Sequence, residues 1–120
     1  MTQAEFERVA KEAIEGLPKE IRKKIENVQI VVRDAKKPKR GDDLDERELY
    51  GLYAGTPLPE RRHDDLGRLP DTVILFKNNL ESDFEDNLAG LIKCIQETVL
   101  HELGHYFGFG EEDLENMGIG

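Results

Sequence analysis

Apolar side chains recur at Phe6, Val9, Ala10, Ala13, Ile14 and Leu17, at the spacing that lines one face of a helix. Thr2 followed by Glu5 opens this segment with the pattern of a reciprocal N-terminal cap, and Gly16 and Pro18 punctuate its end. Pro18 suits the first turn of a second, short helix carrying Ile21 and Ile25. The period then changes. Val28-Gln-Ile-Val-Val32 is short and β-branched and predicts a strand. Residues 34–47 are charged and contain Pro38 and Gly41, which predicts a loop, and residues 48–54 alternate weakly and predict a second strand. Residues 55–70 hold Pro57, Pro59, Gly67 and Pro70 and read as a long irregular loop, a kind of segment that is often functional. The clearest strand is Asp71-Thr-Val-Ile-Leu-Phe-Lys77. Ser82 with Glu85 repeats the capping pattern and predicts a helix from there to about Phe107. Leu88, Leu91, Ile92, Ile95, Val99, Leu103 and Phe107 give that helix a continuous apolar face, and Gly108 is placed to end it in the left-handed conformation.

Near the end of this last helix the chain reads His101-Glu-Leu-Gly-His105. Residues four apart on a helix lie about 40° apart in azimuth and about 6 Å apart along the axis, so both imidazoles can reach one tetrahedral Zn²⁺. Glu102 projects beside them and is placed to act on water as a general base rather than on the metal. A helix end with two solvated histidines and an unrelated glutamate would give the same five letters. The continuation Tyr-Phe-Gly108-Phe-Gly-Glu111, the helical context and the carboxylates that follow weigh against that reading.

Catalytic zinc takes three protein ligands and keeps one position open, so two histidines leave the site incomplete. After Gly108 the candidates are Glu111, Glu112, Asp113 and Glu115. Glu111, ten residues after His101, is the first choice and Asp113 the alternative; Glu112 and Glu115 read as a solvated tail. His63, among Arg61, Arg62, Asp64 and Asp65, reads as an exposed loop residue before it reads as a ligand. Tyr50, Tyr53 and Tyr106 could each donate to an oxyanion, although burial is the plainer reading of each. Cys94 lies two turns before His101, too far to share a metal, and reads as a small buried hydrophobe. Glu97 and Thr98, one turn before His101, are candidate partners for its second ring nitrogen.

One hundred and twenty residues fit a single domain, 1–120, with room for a real core. A net charge of −9 repels phosphate backbones, so nucleic acid is not expected as a partner. The basic runs Arg22-Lys23-Lys24 and Lys36-Lys37-Pro38-Lys39-Arg40 read as solvated surface. One cysteine excludes an intramolecular disulfide, the first residues do not form a signal peptide, and no apolar run approaches the length of a membrane span. These features predict a cytoplasmic protein that does not engage a membrane.

With these residues in view, the chain resembles the minimal zincin-like metallopeptidases, small bacterial single-domain proteins. The resemblance rests on Thr98-Val-Leu-His101-Glu102-Leu-Gly-His105-Tyr-Phe-Gly108, on the Gly51-Leu-Tyr-Ala-Gly-Thr-Pro-Leu segment and on the Leu69-Pro-Asp-Thr-Val-Ile-Leu-Phe strand. It implies an α+β zincin-like fold, with a small mixed sheet packed against N-terminal helices and a long active-site helix. It also implies peptidase activity. The family pattern favours Asp where this chain has Glu111, a departure that bears on the third ligand. Met117 is not placed as a methionine turn and reads as a packing residue.

The expected function is therefore zinc-dependent peptide hydrolysis. His101, His105 and Glu111 (or Asp113) would hold Zn²⁺, and Glu102 would be the base. A short or unfolded peptide is the expected substrate, with the strand at 72–77 serving as an edge on which it pairs. The rival is a non-catalytic zincin-fold module that binds metal or docks a partner. A zinc endoribonuclease of the three-histidine type is disfavoured, because no histidine follows His105.

Overall fold

A computed structural model describes residues 1–25, 27–55, 71–108 and 112 of the chain. Helix α1 spans Gln3–Glu15. It begins with the reciprocal cap that the sequence predicts: the Glu5 N–H donates to the Thr2 hydroxyl at 3.1 Å and the Thr2 N–H donates to the Glu5 carboxylate at 3.0 Å. A short helix α2, Lys19–Lys24, follows Pro18. Strand β1 covers Val28–Arg33, a 3₁₀ turn covers Glu46–Glu48, strand β2 covers Gly51–Ala54 and strand β3 covers Asp71–Phe76. Helices α3 (Lys77–Asp83) and α4 (Leu88–Tyr106) complete the order. The arrangement is α+β, as expected.

The sheet has the order β1-β3-β2, with β1 parallel and β2 antiparallel to β3. This corrects one expectation. The 71–76 strand has a neighbour on each side, so it is the central strand and offers no edge to a peptide. Its near-continuous apolar run fits that place, because a strand covered on both edges and packed by helices buries most of its residues.

The 82–107 region is also two helices rather than one. The Ser82 hydroxyl lies inside α3, and α4 starts at Asn87, whose side chain accepts the Gly90 N–H at 2.9 Å. Asp86 and Asn87 favour caps over helix interiors, so the chain breaks there. Leu88, placed on the apolar face by its spacing, is 61% exposed as a consequence of sitting at this new start.

Helices α1 and α4 pack on each other and on the sheet. Phe6, Val9 and Ala10 of α1 meet Leu91, Ile95, Val99, Leu103 and Tyr106 of α4 and Val32, Val73 and Leu75 of the strands in one buried cluster. Each aliphatic side chain so buried contributes about 1.5–3 kcal/mol. The Tyr106 hydroxyl donates to the Lys24 carbonyl at 2.7 Å, which satisfies its polar tip inside the core and ties α4 to the end of α2. No helix among the described residues is long and apolar enough to cross a membrane.

Candidate metal centre

The buried stripe of α4 fixes where its other face points. With Val99, Leu103 and Tyr106 in the core, His101 and His105 come to lie half-exposed one step round the helix. Their ring centroids are 5.0 Å apart and the rings are nearly perpendicular. One ligand atom from each of His101, Glu102 and His105 can be chosen so that all lie within 4.8 Å of one another. Two imidazole nitrogens so placed are donors that suit zinc, and the Glu102 carboxylate lies beside them.

Glu102 is the most enclosed of the three. It is 8% exposed, a rare place for a carboxylate, and its Oε1 accepts the Tyr53 backbone N–H of β2 at 2.8 Å. Its Oε2 faces His101 Nε2 at 3.9 Å. One oxygen is thus anchored to the sheet while the other is turned towards His101.

That anchor exists because β2 runs very close to α4. A Cβ at Gly51 would lie 2.7 Å from Thr98 Cγ2 and 2.9 Å from the Ile74 carbonyl oxygen, so only glycine allows the approach. Just before β2 the Tyr50 carbonyl accepts the Phe76 N–H at 2.8 Å, and the register pairs Gly51 with Leu75 and Tyr53 with Val73. Alternation then turns the N–H and C=O groups of Leu52 and Ala54 to β3 and those of Gly51 and Tyr53 away from it. Tyr53 is steadied at its other end, where its hydroxyl donates to buried Asp71 at 2.7 Å, and its ring meets Tyr106 edge to face at 6.0 Å. Nothing in the Tyr53 side chain announces this role, since the backbone performs it. The glycine in a weakly alternating strand was the available signal.

The remaining candidates divide clearly. The Thr98 hydroxyl donates to the Cys94 carbonyl one turn back at 2.7 Å, and Glu97 pairs with Lys93 at 3.8 Å, so the described contacts of both lie along the helix rather than at His101. Burial pushes the Cys94 thiol above its usual value, in keeping with a packing residue. The Tyr50 hydroxyl is hydrogen-bonded to the Asp83 carboxylate, which pushes it up to about 12 and keeps it protonated. Tyr106 is buried, whereas Tyr50 and Tyr53 are half-buried against the core. His63, Glu111, Asp113 and Glu115 lie outside the described residues; Glu112 is exposed. Helix α4 ends as predicted, with Gly108 at φ 91° just beyond the Phe107 cap and its N–H on the His105 carbonyl at 2.9 Å.

No curated protein matches the chain. The sequence model of the zincin-like metallopeptidase family, however, matches residues 25–120, a span that takes in every strand, both histidines and Glu102. A histidine pair on the core helix with a buried glutamate held against the neighbouring strand is thus met in a chain that belongs to the zincin-like metallopeptidase family.

Proposed function

We propose that this protein hydrolyses peptide bonds with a zinc ion held by His101, His105 and a carboxylate of Glu111 or Asp113, and with Glu102 as general base. The observation that carries the reading is the two-sided placement of Glu102: Oε1 is fixed by the Tyr53 N–H and Oε2 is turned to His101. Zinc, when bound, would acidify a water and polarise the scissile carbonyl. Glu102 would take the proton from the attacking water through Oε2 and pass it to the leaving amine. Its near-burial keeps the carboxylate from wandering, so the proton acceptor is in position before substrate arrives.

The substrate side of the proposal rests on β2. The Gly51 N–H and carbonyl point away from β3, and an extended peptide pairing there would run past Glu102. A short or unfolded peptide suits so small a domain. Nucleic acid is not expected as a partner at a net charge of −9. A cytoplasmic setting is part of the proposal and rests on the single cysteine.

The test begins with metal content after reloading with Zn²⁺, for the native chain and for His105→Ala, Glu111→Ala and Asp113→Ala. One zinc per chain, lost in His105→Ala and in one carboxylate variant, is expected. Glu102→Gln should keep the zinc and lower hydrolysis of a peptide library by about 10²–10⁴-fold. Full activity in that variant would sink the assignment of the base. Tight zinc with no hydrolysis by the native chain would leave the rival, a non-catalytic metal-binding module.

A further inference from the structure

A groove of about 360 Å³ runs from His101 and Glu102 along α4, between that helix and the segment that leads into β2. Its far wall is a pinned one. The Asn79 amide donates to the carbonyls of Glu46 and Leu49 at 2.9 and 2.6 Å, which fixes the turn that carries Glu48. Leu49 and Tyr50 on this wall and Cys94 on the helix give the groove an apolar lining, and its acids outside the metal centre are Glu48 and Glu97. No lysine or arginine among the described residues lines it.

The two acids are not equivalent. Glu97 already has Lys93 at 3.8 Å, whereas Arg47, the described cation that acts on Glu48, is itself held by Asp45 at 3.0 and 2.8 Å. Tyr50 is neutral, and its hydroxyl donates to Asp83, which adds a further carboxylate nearby. The groove thus combines an apolar lining with a negative charge that its neighbouring arginine, shared with Asp45, only partly offsets. A lysine or arginine side chain has the complementary form, an apolar stem ending in a cationic head.

We propose that this groove receives a lysine or arginine side chain of the substrate peptide and that Glu48 is the residue that selects it. The proposal rests on the peptidase reading of the site and names the substrate class that reading leaves open. An acidic side chain in the groove would face Glu48 and Glu97 without compensation, and an uncharged one would gain only the apolar contact.

The experiment measures binding rather than turnover. Zinc-reloaded protein carrying Glu102→Gln is titrated, by fluorescence anisotropy, into labelled short peptides that are identical except for one position holding Lys, Arg, norleucine or Glu. Lys and Arg peptides should bind about three- to tenfold more tightly than the norleucine peptide at low salt, with the ratio shrinking in high salt. Glu48→Gln should abolish the ratio, and Glu48→Lys should make the Glu peptide the better ligand. Glu20→Gln, an equal loss of charge on α2 away from the groove, should leave the ratio intact. Equal affinities across the series, a preference that survives Glu48→Gln, or no binding by any peptide would overturn the proposal. The two readings fail separately: cleavage by the native chain without charge preference removes only this one, and Glu48-dependent binding without cleavage removes only the peptidase reading.

Discussion

β1 and β2 form the two edges of one three-stranded sheet, and the chain gives each a different side-chain partner. β1 pairs with β3 over six residues, and its Val32 carbonyl accepts the Gln3 amide of α1 at 2.6 Å. β2 pairs over four residues, and its Tyr53 N–H goes to the Glu102 carboxylate. Unpaired strand edges invite association with other chains, so a side-chain partner at each edge has a protective value. A neutral amide suffices for that at β1. At β2 the partner is a buried carboxylate next to two histidines, and the contact that steadies the edge also aims the proposed base. One edge is therefore a matter of folding, while the other joins folding to the proposed chemistry.

The comparison is broken most severely at Gly51. Gly51→Val would push β2 away from Thr98 and the Ile74 carbonyl, with an expected loss of about 1–3 kcal/mol in urea unfolding and a parallel loss of hydrolysis as Tyr53 leaves Glu102. The matching change at the other edge, Gln29→Val on exposed β1 surface, should stay within about 0.5 kcal/mol and leave activity alone. Equal effects at the two positions would remove the distinction.

Gln3→Ala sharpens it from the β1 side. Loss of its bond to Val32 should cost about 0.5–1.5 kcal/mol, measured as a shift in urea midpoint, with zinc content and hydrolysis unchanged.

The smallest effect concerns acid. Arg33 at the end of β1 grips both oxygens of Glu46 at 2.8 and 2.7 Å and, with the Lys36 N–H, holds that carboxyl at about 2 instead of 4.5. The folded value is the lower one, so this pair adds stability above about pH 4.5 that fades as pH falls towards 2. Glu46→Gln should flatten the thermal midpoint over that window and leave its neighbour edge undisturbed. An unchanged slope would show that the pair is too well solvated to matter.

What the sequence discloses and what it hides follows from the range of the interactions. The Thr2–Glu5 cap, the apolar stripe of α4, the histidine spacing and the turn at Gly108 are all settled within a few residues, and each is present. Strand order is settled by pairings between distant segments, and the strand expected at 72–77 as an edge lies instead at the centre, as 71–76. The hydrogen bond between Tyr53 and Glu102 joins residues 49 apart through a backbone N–H, a group every strand residue carries, so no side-chain pattern could mark it. The break between α3 and α4 misled for a different reason. Two capping patterns compete within six residues, and the Asn87 cap, preceded by an aspartate, prevails over Ser82.

The seating of α1 against α4 has a bearing on where this protein can be shortened. The family match begins at residue 25, after α1 and α2, yet Phe6, Val9 and Ala10 are among the most deeply buried side chains and rest on the back of the helix that carries the histidines. A chain started at the first matched residue would lose those three contacts and the Lys24 carbonyl that receives Tyr106. The stretch by which relatives are recognised and the stretch that holds the histidine-bearing helix in place are different lengths of the same polypeptide.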